Sequence, residues 1–425
     1  MTISQHLTAD LGLQSLSDIL RFGNAERDDP DSGMTKWMQT SFPTEAEYCR
    51  ILDQKLSSRA GGRAEQQTSD LHVLGNQLHA FIADRLDSSF TITGLRWLSG
   101  GGSKMQVAFD LTVDRMCSLR AGIHRLVIRL EPLESLNATS RVRESQIIDA
   151  MNGSVPTPGV YWLDDAGQWF DRPALIYAFV EGVTKPTGSR SHVGGVGGQY
   201  DGELRHTLAE QFVDHISRIH TFDVTQTGHA LDAFTVPEVG STDSALWQVN
   251  RARRVWEEDR GKDLAFIEVA ANWLLRNLPI LDRVSVVHGD YRTGNFLFDE
   301  SSGEITAWLD WERSYLGDRH RDLAWITLPQ WGRINDNGKL LVSGLIPEDE
   351  FYSMYSELSG LHVDPGKLQY YRVLNNFQLV ISSLGTAHRV ARLARSHQDI
   401  LLTWIEGLAH AFSRDLVASL IEAGA

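Results

Sequence analysis

Residues 284–312, VSVVHGDYRTGNFLFDESSGEITAWLDWE, decide how this chain is read. An apolar run ends in His288-Gly289-Asp290, Asn295 follows five residues after Asp290, and Asp310 follows fifteen after that. The apolar runs FLF and ITAWLD flank DESSGE, a turn-rich hexapeptide, so the pattern predicts a hairpin. Such a hairpin sets Asn295, at the start of one strand, near Asp310, at the end of the next, with Asp290 in the loop before them. Two oxygen donors held together suit Mg²⁺, which fills its remaining positions with phosphate and water. An Asp nearby can then face an incoming hydroxyl, which is the logic of phosphoryl transfer by positioning and charge neutralisation. A lone Asp beside Gly is ordinarily a turn residue. The three residues together argue against that reading.

Upstream, FTITGLRWLSG, MQVAFDLTV and HRLVIRLEP are short β-rich runs separated by glycines. RVRESQIIDAM, residues 141–151, reads as a helix, and WFDRPALIYAFV as further strands. Gly100, Gly101, Gly102 and Ser103 lie between the first two runs. Glycines let a backbone approach phosphates closely and aim N–H groups at them, although a plain hairpin turn has the same composition. In HRLVIRL, alternation places Val127 and Arg129 on one face. An exposed edge strand is the competing explanation for that arginine.

Residues 1–85 read as a helical N-terminal extension. Leu11, Leu13, Leu16, Ile19 and Leu20 have near-helical spacing, and LHVLGNQLHAFIADRL, residues 71–86, has an apolar face. Neither carries chemistry. Residues 182–202, GVTKPTGSRSHVGGVGGQYDG, read as a loop: no Gly-Lys-Ser/Thr follows the glycines, and Tyr200 stands where GxGxxG needs its last glycine. Helices dominate from Glu203 onward, as in LAEQFVDHISRIHTF and ANWLLRNLPIL, and again from Pro347 to the last residue.

The 425 residues suffice for two or three packed units, and 42% hydrophobic with 22% charged residues is ordinary for a globular chain. A net charge of -15 disfavours binding to nucleic-acid phosphate. The two cysteines, Cys49 and Cys117, form no metal-binding pair and fit a reducing compartment. No run reaches the roughly 18–20 apolar residues of a membrane span, and the first residues lack a signal-peptide pattern. The expectation is a cytoplasmic protein with no membrane and no nucleic-acid partner.

HGDYRTGNFL followed by LDWERSYLGDRHRDLAW resembles the aminoglycoside phosphotransferase (APH) superfamily. The wording is especially similar to the branch that includes the kinase domains of the acyl-CoA dehydrogenase 10/11 type. The resemblance covers about residues 90–425 and leaves the N-terminal extension unexplained. It implies an α+β, protein-kinase-like fold of two lobes: a small β-rich N-lobe over 86–180 that binds nucleotide, and a large, mostly helical C-lobe over 181–425 that carries catalysis and acceptor binding. It implies ATP and Mg²⁺ as cofactors and a small-molecule hydroxyl as acceptor.

Carried over residue by residue, Asp290 is the catalytic base or orients the acceptor hydroxyl, and Asn295 and Asp310 hold Mg²⁺. Arg292 occupies a position where protein kinases often place a Lys near the γ-phosphate. His288 supports the loop, and Asp322 accepts hydrogen bonds that hold it. Gly100–Ser103 form the nucleotide loop, Arg129 meets the α- and β-phosphates with Glu144 as its ion-pair partner, and Val127 touches the adenine. Tyr177 to Val180, with Tyr177 and Phe179 named for the site, form the hinge. Protein kinases use Lys where this chain has Arg129; an Arg acts there by charge and geometry alone.

The favoured acceptor is an alcohol or a hydroxyacyl-CoA. The alternative is an aminoglycoside or another antibiotic, whose amines need a carboxylate cluster such as Glu348, Asp349, Glu350 and Glu357. Phe351, Tyr352, Tyr355, Tyr370, Tyr371 and Phe377 suit a partly apolar acceptor and equally suit a core. A nucleotide-binding pseudokinase scaffold is the rival outside the enzymes, and the presence of Asp290, Asn295 and Asp310 speaks against it. No GxSxG, no HExxH and no activation loop ending in Ala-Pro-Glu is present. GTP as donor and the oligomeric state, a dimer included, are left open.

Overall fold

The computed structural model describes residues 22–60, 70–98, 104–132, 135–188, 199–200, 202–225, 231–393 and 399–425. The expected helix around 11–20 and the glycine loop Gly100, Gly101, Gly102 and Ser103 lie outside the described residues, as does most of the 182–202 loop. The molecule is bilobal and α+β, with a smaller sheet region before a larger helical one.

Five strands, β1 (Phe90–Trp97), β2 (Met105–Val113), β3 (Gly122–Leu130), β4 (Val160–Asp164) and β5 (Ala174–Ala178), form an antiparallel sheet in the order β1-β2-β3-β5-β4. β3 is therefore central, and its alternation sorts two faces. Leu126, Ile128 and Leu130 pack with Leu74, Leu78, Phe81 and Ile82 of helix α4 (Leu71–Ala83). Val127 belongs to the core shared with helix α5 (Arg141–Met151) and the helical lobe. Arg129 shares that face and is buried, so it is no exposed edge residue. α5 starts where the sequence predicts because Ser140 caps it: its Oγ accepts from Arg143 N at 3.3 Å.

The N-terminal segment divides. α4 covers the sheet, whereas α1 (Asn24–Asp28), α2 (Ser32–Ser41) and α3 (Ala46–Arg59) lie with helix α7 (Asp243–Asp259) of the helical lobe. Asp259 is fully buried there between Lys55 at 2.8 Å, Arg59 at 2.6 Å and Arg389 at 3.0 Å. Burial alone would push its carboxyl up, but these cations hold it well below the usual range.

The helical lobe continues with α6 (Gly202–Thr221), α8 (Ala265–Arg276), α9 (His320–Ile326), α10 (Glu348–Ser359) and α11 (Pro365–Ile381). α11 starts with Pro365 after Asp364, whose side chain accepts from Gly366 N and Lys367 N. It runs through a π-type turn, Ser382–Ala387, into α12 (His388–Leu393), followed by α13 (Asp399–Gly407) and α14 (Ala409–Glu422). Tyr370, Tyr371 and Phe377 pack in one core of this lobe, and Phe351 and Tyr355 in the other. These aromatics are buried core residues. Val183 exchanges both backbone hydrogen bonds with Phe298, at 2.9 and 3.1 Å, and so joins the chain leaving the sheet to the helical lobe.

Candidate active site

The predicted hairpin is present. β6 (Phe296–Phe298) pairs with β7 (Ile305–Trp308), Phe296 stands opposite Trp308, and Leu309 N donates to Asn295 O at 2.8 Å. Asn295 and Asp310 thus meet at one end of the hairpin. Asp310 sits in the left-handed region, at φ 59°, which Asp tolerates better than most residues but at some cost. Backbone strain of this kind concentrates at functional sites.

The His-Gly-Asp loop is tied down from three sides. Gly289 has φ 85°, and a Cβ there would lie 2.6 Å from Arg313 O, so only glycine fits. Asp322, in the first turn of α9, accepts from His288 N at 2.7 Å and Gly289 N at 2.9 Å. Burial raises the Asp322 carboxyl, yet the His220 ring and Arg321 more than offset this and hold it low. His288 Nδ1 accepts from Asp290 N at 3.3 Å, which leaves Nε2–H to donate to Leu309 O at 3.1 Å. Burial lowers its affinity for a second proton. His288 is therefore a neutral brace.

Asp290 is oriented by three partners. Its Oδ1 accepts from Trp325 Nε1 at 3.0 Å and Arg292 Nε at 3.1 Å, and its carbonyl accepts from Asn295 Nδ2 at 2.8 Å. Arg292 also lies over the Trp331 ring, 4.9 Å from its centroid. In this arrangement Arg292 braces Asp290.

From the sheet, Arg129 reaches across to the hairpin. Its Nη1 lies 2.7 Å from Asp310 and 3.4 Å from Glu144, and its Nη2 lies 2.7 Å from Glu312. Burial works against its charge, but these three carboxylates hold the proton firmly. The Glu144 pairing matches the sequence expectation. Burial pushes the Glu144 carboxyl up despite Arg129 and Arg141. Val127 and Tyr177 are cross-strand neighbours on the same face and both buried; burial drives the Tyr177 hydroxyl up to about 12. Phe179 is half-buried beyond the end of β5.

Sequence reasoning missed Glu312, Arg141 and Lys104. Arg141 Nη2 lies 3.3 Å from Glu312, and Lys104 Nζ lies 2.7 Å from Glu131 and 3.8 Å from Glu312. Position was the available signal: Glu312 is two residues from Asp310, and Lys104 follows the glycine loop directly.

Asp290, Arg292, Asp310 and Glu312 open onto a chamber of about 760 Å³. Trp325, Trp331, Leu379, Trp404, Leu408 and Phe412 form much of its wall. The tail carboxylates do not line it: Asp349 pairs with Lys339 and Glu348 with Arg372 on the outer face of α10.

Residues 114–356 match the phosphotransferase enzyme family, APH. The chain belongs to that family. This APH-family chain is similar to mouse acyl-CoA dehydrogenase family member 10, with 27% identity over 213 residues, 49% of this chain and 19% of that protein. It therefore spans about a fifth of that relative's length. Among solved structures it is similar to a Ralstonia eutropha protein provisionally classed as an aminoglycoside phosphotransferase, at 20% identity and a TM-score of 0.58, covering 83% of this chain and 98% of the other. A macrolide 2'-phosphotransferase of type I gives 16% identity and a TM-score of 0.50, covering 81% and 97%. At these identities the structures speak for the shared APH fold. No helix among the described residues is long and apolar enough to cross a membrane.

Proposed function

We propose that this APH-family chain is an ATP- and Mg²⁺-dependent phosphotransferase that moves the γ-phosphate to a hydroxyl of a partly apolar small molecule, an alcohol or a hydroxyacyl-CoA. The observation that carries this reading is the Asp290 carboxylate, held by Trp325 and Arg292 at the floor of a largely apolar chamber, beside Asn295 and Asp310. In the proposed division, residues 86–180 hold the nucleotide, residues 181–425 hold the acceptor, and 1–85 is an extension. A cytoplasmic setting belongs to the same proposal.

The donor set fits the cofactors. Asn295 and Asp310 offer hard oxygens at one hairpin end, and Asp310 keeps part of its side chain exposed. Arg129 already stands at Asp310 with a planar fork suited to phosphate. Mg²⁺, when bound, would neutralise charge on the transferred phosphoryl group. The protein's own part is positional. Asp290 accepts a hydrogen bond from the acceptor hydroxyl and takes its proton as the oxygen bonds to phosphorus. His288 takes no proton in this scheme, because its ring is neutral and both nitrogens are engaged.

An antibiotic acceptor is the second reading, favoured by the names carried by the two structural neighbours; a bulky, largely apolar antibiotic also suits the chamber. The test is transfer of labelled γ-phosphate into pooled alcohols, hydroxyacyl-CoAs, aminoglycosides and macrolides. The expected product forms with wild type and not with Asp290→Asn, while that variant still binds Mg-ATP. Near-normal turnover by Asp290→Asn would sink the assignment. Product confined to the antibiotics would replace the first reading with the second.

A further inference from the structure

Beside the chamber lies a second, smaller cavity of about 50 Å³, lined by Arg251, Arg313, Arg321 and Gln378 among others. Arg313 and Ser382 line both spaces, so the two adjoin. We infer that the acceptor carries an oxyanion, a carboxylate or a phosphate, and that Arg251, Arg313 and Arg321 bind it here. The inference rests on reading the chamber as the acceptor site, and deepens that reading.

Charge is the first argument. Among the described residues, neither Arg251 nor Arg313 has a carboxylate within ion-pair distance, and the nearest to Arg321 is Asp322 at 3.8 Å. Asp322 is already occupied by two backbone amides. The fixed hydrogen-bond acceptors are neutral: Gln378 Oε1 at 3.0 Å from Arg321 and 3.5 Å from Arg313, Ala138 O at 3.4 Å from Arg251, and Gly289 O on Arg321. Three guanidinium groups gathered with only Asp322 in ion-pair range, and with Asp290 and Glu45 farther off, carry an excess of positive charge that an anion placed among them would offset. Burial, then the neighbouring Arg321, pushes the Arg313 guanidinium down to about 10, and burial pushes Arg251 down too. The remaining cation of the pocket, Lys55, is committed to Asp259.

Geometry is the second. Arg251 lies over the Tyr48 ring at 3.7 Å, and Arg313 and Arg321 flank Trp325 at 5.0 and 5.2 Å. A ring contact helps to orient each guanidinium, and the N–H groups not already donated to Gln378, Ala138 or Gly289 remain for an oxyanion, the chemistry that makes Arg a binder of carboxylate and phosphate. Trp325 also donates to Asp290. One ring therefore sets the spacing between the group that meets the hydroxyl and the groups that meet the anion. The acceptor is a molecule with a hydroxyl at one end, an apolar body along the chamber wall, and an oxyanion at a side position.

The test titrates wild type, Arg251→Gln and Arg313→Gln with octanoate and with 1-octanol, the uncharged molecule of the same chain length, by calorimetry. Wild type should prefer octanoate by about tenfold or more, the value of one charge-assisted hydrogen bond, and either substitution should remove most of that preference. Inorganic phosphate, added as competitor, separates the two anions: displacement of octanoate marks a phosphate pocket, persistence of octanoate a carboxylate pocket, and both support the inference. Equal binding of octanoate and octanol by wild type, or a preference that survives both substitutions, overturns it. Mg-ADP is titrated into the same samples. Retained affinity shows that a variant is folded. Failure of wild type to bind Mg-ADP would count against the phosphotransferase reading and leave the octanoate comparison intact.

Discussion

Asp322→Asn is a nearly isosteric change at the point where the His-Gly-Asp loop is anchored. Asp322 is fully buried, and its two oxygens accept from His288 N at 2.7 Å and Gly289 N at 2.9 Å. An asparagine offers one oxygen and one NH₂, so one backbone amide faces a donor. The loss of a charge-assisted bond costs about 1.5–3 kcal/mol, and a buried amide left unpaired about 1–3 kcal/mol more. The sum, roughly 2.5–6 kcal/mol, is a large share of the 5–15 kcal/mol that typically separates folded from unfolded chains. Urea unfolding followed by tryptophan emission reads this directly, because Trp308, Trp311 and Trp325 are buried around the loop. The expected result is a lower midpoint with an unchanged slope. A loss under about 1 kcal/mol would refute the claim that these amides depend on the carboxylate.

Arg129→Met leaves Glu144, Asp310 and Glu312 around an apolar side chain. It should cost about 3–5 kcal/mol in denaturant unfolding, whereas Arg129→Lys recovers part of this; equal stability of all three proteins would dismiss the network as structural support. Asp259→Asn removes the buried charge that Lys55, Arg59 and Arg389 share and should destabilise by a similar amount; proteolysis should then cut within residues 22–60 first, and a wild-type digestion pattern would contradict the docking role. His215 has its Nδ1 committed to Trp308 Nε1 at 3.0 Å, and burial lowers its pKa to about 4. The unfolded chain takes up that proton near pH 6.5 and the folded chain refuses it, so this contribution is present above about 6.5 and lost as pH falls toward 4, by roughly 3 kcal/mol in all. His215→Gln should flatten that part of the stability–pH profile; a profile identical to wild type would show that His215 titrates normally.

What was legible in the sequence was what depends on short spacings. The hairpin between Asn295 and Asp310 is local, and its turn residues and flanking apolar runs announce it. α5 and its contact with β3 also follow from nearby residues, since Ser140 caps the helix and Glu144 falls on its inner face. The chamber beside Asp290 was not legible. Its walls come from residues 136–137, 290–331 and 379–415, brought together only by packing, and Trp404 carries no local mark that separates it from Tyr371 or Phe377 in the core. The arginine pocket is similarly dispersed: Arg251 sits in a helix read from sequence only as part of a helical region, seventy residues before Arg321. The division of the N-terminal segment between two docking sites was hidden for a related reason, because an apolar helical face does not name what it packs against.

The sheet has a bearing on how such a unit can be carried within longer polypeptides, as the alignment with the mouse relative suggests. The family match begins at residue 114, after β1 and β2, yet β2 pairs along the whole of β3 and supplies Gln106 opposite Arg129. α4 lies earlier still and covers the other face. A gene fusion or truncation that kept only the matched segment would inherit the hairpin and Asp290 but would leave β3 with an unpaired edge and an apolar face in water. The smallest heritable piece that can keep Arg129 in register with Asp310 therefore starts no later than Asp70, the residue that caps α4.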